Sequence, residues 1–95
     1  MKKFNFVIAY DIKNDKVRNK IFRTLRSYGI HAEKSVFECQ MTITSLESLK
    51  RSLLKLMNPE TDILKIYRLT ASTAEAIFSF GKVLDEVPTE NFIIF

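Results

Sequence analysis

A chain of 95 residues is long enough for one domain with a modest hydrophobic core, so we expect a single domain over residues 1–95 that oligomerisation would help to stabilise. The 27% of charged residues is ordinary for a globular protein, and the single cysteine excludes an internal disulfide. No apolar stretch approaches the length of a membrane span, and the initial lysines precede too short an apolar run for a signal peptide. We therefore expect a cytoplasmic protein with no membrane partner.

Positive charge is concentrated in the first third of the chain. Residues 1–34 hold nine Lys and Arg against three Asp and Glu, a net charge of +6, whereas residues 35–95 hold six against eight, a net charge of −2. A local positive field favours a polyanion such as nucleic acid as the partner. A solvated helix face is the alternative interpretation.

The first predicted element is a strand over residues 4–10, and both of its faces are largely apolar, which is typical of a central strand. Asp11 follows directly, so its carboxylate is expected where the strand leaves the core. Magnesium takes oxygen ligands and commonly uses one or two carboxylates together with several waters. Asp11 is therefore the candidate metal ligand, with a turn-forming or helix-capping role as its structural alternative.

A helix is predicted next, with either Asn14 or Asp15 able to cap its N-terminus. Its buried stripe has helical spacing: Val17, Ile21, Leu25 and Tyr28. Gly29 is expected to end the helix in a left-handed conformation, with Ile30 folding back onto it. Cations on and before the helix are the candidate nucleic-acid contacts: Lys13, Lys16, Arg18, Lys20, Arg23 and Arg26.

The middle of the chain is predicted to form extended structure and a second helix. Residues 30–42 read either as one long strand or as two short strands with a break near Ser35. Thr44 with Glu47 has the pattern of a capping box, and the helix that follows is expected to stop at Asn58-Pro59.

The last third is predicted to be mainly strand. Residues 63–69 alternate, with Ile63, Tyr67 and Leu69 on one face. Residues 71–82 are ambiguous between helix and strand. The chain closes on four apolar residues that should add a strand to a sheet of this chain or of a partner: Phe92, Ile93, Ile94 and Phe95. This order of strand, helix, extended segment, helix and two further strands fits an α+β fold of the ferredoxin-like type, a sandwich with two helices on one face of an antiparallel sheet.

Several other side chains are candidates with structural alternatives. Tyr10 could orient a phosphate, and Ser35 could hydrogen-bond one, although turn serines are common. His31 is the only histidine. A single histidine without a nearby acid–base partner is more often a surface residue than a chemical group. Phe37 is either core or a contact to a partner or base, whereas Cys39 is expected in the core. Glu33 and Glu38 are weaker candidates for extra metal ligands.

The ordered set of motifs resembles the family of CRISPR-associated protein 2, over nearly the whole chain. The residues that carry the resemblance are Tyr10-Asp11-Ile12, the segment from Asp15 to Lys20, Leu25 with Tyr28-Gly29, Ser35-Val36-Phe37-Glu38 and Ile66-Tyr67-Arg68-Leu69. The resemblance implies a ferredoxin-like fold with two strands broken near Ser35. It also implies a twofold homodimer in which residues 91–95 add a strand to the other subunit's sheet.

The same resemblance implies a site at which two copies of Asp11 face each other and bind magnesium, with manganese as a substitute. Asp11 and Tyr10 would be the catalytic residues. The family's helix arginines match Arg18 and, conservatively, Lys20, and its basic position before the second strand matches His31. The other cations named above, with Ser35 and Phe37, are candidate nucleic-acid contacts from the residues themselves. His31 stands where the family often has Arg, and Glu33 where it usually has Gln. Phosphate contact there is therefore expected to be weaker and pH-dependent.

The implied function is that of a subunit of the CRISPR adaptation complex, which captures spacers. Its partners would be a CRISPR adaptation integrase and either duplex DNA or single-stranded RNA, which it would cleave as a metal-dependent endonuclease. A structural scaffold that bridges integrase dimers without cleavage is one alternative. An RNA-cleaving toxin similar to the virulence-associated D protein is another. A small-molecule regulatory domain of the same fold class is disfavoured by the basic first helix.

Overall fold

The computed structural model describes residues 1–70 and 74–81. These residues form seven elements in chain order: β1 (Phe4–Asp11), α1 (Asp15–Arg26), β2 (Ile30–Glu33), β3 (Val36–Met41), α2 (Ile43–Leu56), β4 (Ile63–Leu69) and β5 (Ala74–Gly81). The predicted terminal strand of residues 91–95 lies outside the described residues. No helix in the described part of the chain is long and apolar enough to cross a membrane.

The strands form one antiparallel sheet in the order β2-β3-β1-β4-β5, which confirms that β1 is central. Its position between β3 and β4 explains why both of its faces are apolar. In the β1–β4 pairing, Asp11 lies opposite Ile63, at the last paired position of β1. The candidate metal ligand is therefore held by a strand that is hydrogen-bonded on both sides for most of its length.

Both helices cover the same face of the sheet, as the ferredoxin-like prediction requires. One core joins Phe6 and Ile8 of β1 to Leu25 of α1 and Leu49 of α2, and all four are fully buried. On the other face Val7 and Tyr67 form a smaller cluster against which Leu69 packs. The predicted alternation of β4 is thereby confirmed, because Tyr67 and Leu69 share the face away from the helices.

The two ends of α1 differ in how well the sequence predicted them. Asn14 is the N-cap, and its side chain accepts a hydrogen bond of 3.0 Å from the Val17 N–H. The left-handed end at Gly29 was wrong, because α1 ends at Arg26 and, among the described glycines, only Gly81 has a positive φ. Gly29 is instead needed for close packing, since a Cβ there would collide with Cys39 Sγ and lie 2.5 Å from the Glu38 carbonyl oxygen. Ile30 does not fold back but remains 75% exposed.

Residues 30–42 contain two strands, with the break where the resemblance implied it. Ser35 occupies the turn between β2 and β3 and has a φ of 61°. Left-handed backbone is uncommon for a residue other than glycine, so this turn interrupts what would otherwise be one long strand. It returns the chain so that His31 pairs with Phe37.

The start of α2 corrects the predicted capping box. The N-cap is Thr42, whose hydroxyl accepts a hydrogen bond of 3.1 Å from the Ser45 N–H, whereas Thr44 and Glu47 lie within the helix. Glu47 pairs with Lys50 one turn further on, at 3.2 Å. The two threonines are two residues apart, and the end of β3 at Met41 decides which of them caps the helix.

The described part of the ambiguous segment is a strand, β5, which pairs with β4 from Ala74 to Gly81 with one register shift between Ile66 and Tyr67. Gly81 closes it with a φ of 97°, and a Cβ there would collide with the carbonyl oxygen of Asp62. Both constraints require glycine at this position. The end of β5 therefore packs directly against Asp62, the residue that precedes β4.

Candidate active site and nucleic-acid interface

Asp11 lies where the sequence predicted it, at the point where β1 leaves the core. Its side chain is 52% exposed, and its Oδ2 is 3.2 Å from Lys13 Nζ. An exposed carboxylate oxygen is a suitable donor for a hard cation such as magnesium. Among the described residues no group of three or more His, Cys, Asp or Glu side chains could hold a metal ion, so Asp11, Glu33 and Glu38 do not form a three-ligand cluster.

The loop between β1 and α1 is fixed by side chains on both sides. Arg18 donates a hydrogen bond of 2.9 Å from Nη1 to the Ile12 carbonyl oxygen, and its Nη2 pairs with Asp15. The Lys13 N–H donates to Asp62 Oδ1 at 3.1 Å. The sequence predicts that Arg18 contacts nucleic acid. The structure shows in addition that Arg18 binds the Ile12 carbonyl oxygen, in the loop that follows Asp11.

Tyr10 lies beside Asp11 on β1, but its side chain points into the core and is only 7% exposed. Its ring stacks against Phe37 with 6.4 Å between centroids, and its N–H donates to the Ser35 carbonyl oxygen at 3.1 Å. Burial raises the pKa of the Tyr10 hydroxyl, and a hydrogen bond with the Ser35 side chain and the Arg18 charge oppose that rise. The hydroxyl therefore keeps its proton at neutral pH, and Tyr10 and Ser35 together support the strand end that carries Asp11.

Phe37 belongs to the core and not to the surface. It is fully buried, so its ring has no face open to a base, and the core interpretation of this residue is the one that the structure supports. His31 is exposed, yet it packs on Phe37 and on Phe22 with 5.0 Å between centroids in each case. Arg26 lies over the Phe22 ring at 5.9 Å. His31 and Arg26 therefore both pack on the Phe22 ring near the end of α1. Phe22 was not among the residues predicted from the sequence.

The remaining predicted cations lie along the outer face of α1. Lys16, Lys20 and Arg23 are exposed, and none of them forms an ion pair with any residue in the described part of the chain. Lys20 and Arg23 line a surface depression together with Thr24 and Leu56. We call Lys16, Lys20 and Arg23 the α1 cationic face. Unpaired cations on one helix face are available to neutralise phosphates.

Cys39 is core, as predicted. It is 1% exposed, and burial, together with the nearby Glu38 charge, raises the pKa of its thiol to about 11. A neutral buried thiol is a poor nucleophile and a poor metal ligand. Cys39 therefore takes no part in the site.

Asp62 is the residue near the site that the sequence analysis missed. It is 3% exposed, and among the described residues it is the one charged side chain that is buried. Its position in a turn before β4 resembles that of many surface aspartates. Only the tertiary structure shows that its carboxylate reaches the loop after Asp11.

Comparison with known proteins places these observations in a family. The sequence model of the family described as CRISPR associated protein Cas2 matches residues 4–77. A protein named CRISPR-associated endoribonuclease Cas2 3, from Synechocystis, is 35% identical over 83% of this chain and 86% of its own length.

Solved structures give the same result for the fold. The crystal structure of a hypothetical protein from Thermus thermophilus superimposes with a TM-score of 0.72 at 33% identity, over 90% of this chain and 94% of that one. The crystal structure of Streptococcus pyogenes Cas2 superimposes with a TM-score of 0.66 at 23% identity, over 72% of this chain and 88% of that one. The second likeness supports the ferredoxin-like fold alone.

Proposed function

This chain belongs to the Cas2 family of CRISPR-associated proteins, and we propose that it is a homodimeric, nucleic-acid-binding subunit of a CRISPR adaptation complex with magnesium-dependent endonuclease activity. The observation that carries the proposal is the placement of one exposed carboxylate, Asp11, at the end of the central strand and directly before the helix that bears the α1 cationic face. The name endoribonuclease on the Synechocystis relative supports the activity.

The residues of this chain have separate tasks in the proposed reaction. Asp11 would hold the metal ion, and the α1 cationic face would hold the phosphodiester backbone through sequence-independent contacts. A magnesium or manganese ion held by Asp11 would supply water activation and compensation of the negative charge on the phosphate. Tyr10 keeps its hydroxyl protonated and supports the strand end, which keeps the Asp11 carboxylate at a fixed place.

The proposed dimer would supply a second carboxylate, because a twofold axis near Asp11 brings two copies together. The apolar residues 92–95 are the proposed intersubunit strand. Deleting residues 91–95 is expected to give monomers or aggregates in sedimentation experiments. A shortened chain that sediments as an unaltered dimer would exclude this interface.

A scaffold without nuclease activity is the second candidate, and one observation favours it. Asp11 already has a partner in Lys13, at 3.2 Å, so its charge is compensated without a metal. A scaffold needs only the cationic face and the binding surface for the integrase. The cytoplasm is the proposed location for either role.

A cleavage assay separates the two candidates. Wild-type protein is incubated with single-stranded RNA and with duplex DNA, each with magnesium, with manganese and with a chelator. Cleavage that the chelator abolishes supports the endonuclease, and the substrate that is cut identifies its preference. If the protein binds both nucleic acids and the integrase but cuts neither nucleic acid, the scaffold is the correct function.

A further inference from the structure

The side chain of Asp62 is buried, so its carboxylate needs partners within the protein. A charged group removed from water destabilises the fold unless it is hydrogen-bonded or paired. In Asp62 both oxygens have donors: Oδ1 accepts from the Lys13 N–H at 3.1 Å and from the Thr61 hydroxyl at 3.2 Å, and Oδ2 accepts from the Asn58 N–H at 2.9 Å. None of these donors carries a charge, and Asp62 forms no ion pair with any residue in the described part of the chain.

The hydrogen bonds of Asp62 join two distant segments. Asn58 and Thr61 belong to the turn between α2 and β4, whereas Lys13 belongs to the loop between β1 and α1 and is 49 residues away. Asp11 is the last β1 residue paired with β4, and its partner is Ile63. The carboxylate of Asp62 therefore extends the connection between the two strands beyond the point where backbone pairing ends.

This connection acts on the proposed site through Lys13. The backbone of Lys13 is held by Asp62, and the ammonium of the same residue is 3.2 Å from Asp11 Oδ2. Ile12, between Asp11 and Lys13, is held on its carbonyl oxygen by Arg18. The Ile12 carbonyl oxygen and the Lys13 N–H belong to the same peptide group, so this peptide, which begins one residue after Asp11, is held at both of its hydrogen-bonding atoms. The ammonium that contacts Asp11 Oδ2 is therefore carried on a fixed stretch of backbone.

We propose that Asp62 is the positioning residue of the Asp11 site: by holding the Lys13 backbone it sets the orientation of the Asp11 carboxylate, and so the affinity of that carboxylate for a divalent cation. The role rests on the proposed metal site at Asp11, and it adds a residue that does not touch the metal or the substrate. Residues that orient a metal ligand commonly change metal affinity by about 10- to 100-fold when they are removed.

The first measurement does not depend on activity. Hydrogen exchange of the Lys13 amide is followed by NMR in the wild type, in Asp62→Ala and in Asp62→Asn. We expect the exchange to be at least about 10-fold faster in Asp62→Ala, because the amide loses its acceptor. Asp62→Asn keeps one carbonyl oxygen, which can serve Lys13 or Asn58 but not both, so it should lie between. It also serves as the test variant if Asp62→Ala does not fold.

The second measurement is binding of Mn²⁺ without nucleic acid, through paramagnetic broadening of the amide signals at Asp11. We expect the half-saturating Mn²⁺ concentration to rise about 10-fold in Asp62→Ala, and the metal concentration for half-maximal cleavage to rise with it. The rate at saturating metal should change by much less. The variants are compared at a temperature at which each is fully folded, because partial unfolding would raise the apparent dissociation constant in proportion to the unfolded protein.

Thr42→Ala is the matched control. Like Asp62→Ala, it removes a side-chain acceptor from a backbone N–H, here at the start of α2. Thr42 follows Met41, which pairs with Phe4, so the control lies at the opposite end of β1 from Asp11. It should leave both the Lys13 exchange and the Mn²⁺ titration at wild-type values. An equal shift in this control would overturn the proposal.

The outcomes also separate this proposal from the proposed nuclease. Unaltered Lys13 exchange in Asp62→Ala, or faster exchange with unaltered Mn²⁺ binding, overturns the positioning role and leaves the nuclease standing. Mn²⁺ binding that weakens as expected in a protein that never cleaves supports the positioning role and overturns the nuclease. Wild-type protein that binds no Mn²⁺ at Asp11 overturns both.

Discussion

The loop after β1 and the outer face of α1 are adjacent in sequence, and both are rich in charge, but the charges are used differently. Around the loop, charged side chains from the end of β1 to the first turn of α1 form pairs: Lys13 contacts Asp11, and Arg18 of α1 contacts Asp15 and the Ile12 carbonyl oxygen. On the α1 cationic face, Lys16, Lys20 and Arg23 have no ion-pair partner among the residues that the structure describes.

This difference indicates a division of labour. Paired charges hold a local geometry, and removing one of them leaves another without its partner. Unpaired exposed cations hold no geometry and are free to release counterions on binding a polyanion. Changes in the loop should therefore act on metal binding and cleavage, and changes on the helix face should act on affinity and its salt dependence.

The largest expected effect is that of Asp11→Asn on cleavage. Asn keeps the volume but loses the charge that holds the cation, so we expect metal-dependent cleavage to fall by about 100-fold or more, while affinity for nucleic acid stays close to that of the wild type. Initial rates with RNA and DNA, measured beside binding isotherms, test this expectation. Glu47→Gln is the control, since it removes an acid that pairs with Lys50 on α2 and takes no part in the contacts of the Asp11 loop. Wild-type cleavage by Asp11→Asn, with contaminating nuclease excluded, would refute the catalytic assignment.

The second effect is on salt dependence. The double variant Lys16→Ala, Arg23→Ala removes two cations from the α1 face, so the slope of log affinity against log salt for duplex DNA should fall in magnitude by about 1.8. Binding titrations between low and moderate salt measure this slope. The matched variant Arg51→Ala, Lys55→Ala removes the same charges from α2 and should leave the slope unchanged. Equal slopes for the two variants would show that net charge, and not the α1 face, determines binding.

The third effect concerns Lys13, which the sequence analysis assigned to nucleic acid and the structure places on Asp11. Lys13→Met keeps the backbone N–H that Asp62 accepts but removes the competing ammonium. An exposed ion pair contributes up to about 1 kcal/mol, so the half-saturating Mn²⁺ concentration should fall by up to about fivefold. Lys16→Met changes the net charge equally and should have little effect. A weaker metal site in Lys13→Met would mean that the ammonium helps to form the site.

The last effect is on alkaline stability and concerns neither metal nor nucleic acid; it defines the pH range in which the other comparisons are valid. The pKa of the Cys39 thiol is about 11 in the folded protein, above its ordinary 9.0. Between these values the unfolded chain has lost a proton that the folded chain keeps, so stability should fall as pH rises from about 9 to about 11. Denaturation midpoints across this range measure the decline, which should be shallower in Cys39→Ser. Identical slopes in the two proteins would show that the thiol does not contribute.

Local sequence patterns predicted the elements that depend on near neighbours. The apolar faces of β1 and the stripe through Ile21 and Leu25 of α1 follow from strand and helix periodicity, which the core confirms. The Asn14 cap follows from a side chain that reaches a backbone N–H three residues away. The same local reasoning was wrong at Gly29, where the constraint is the approach of β3 and not the helix end.

By itself the sequence determined β1, the two helices, the position of Asp11 at the end of a central strand and the cations of the α1 face, because these depend on periodicity and on charge spacing within one element. The division of residues 30–42 into two strands and the strand character of β5 were not determined by periodicity. The tertiary structure alone decided that Phe37 is buried, that Lys13 lies on Asp11 and that Asp62 holds the loop between them. The reason is physical: burial and hydrogen bonding of a side chain are fixed by whichever distant segment packs against it. Asp62 and Lys13, which are 49 residues apart, meet only once β4 has paired with β1.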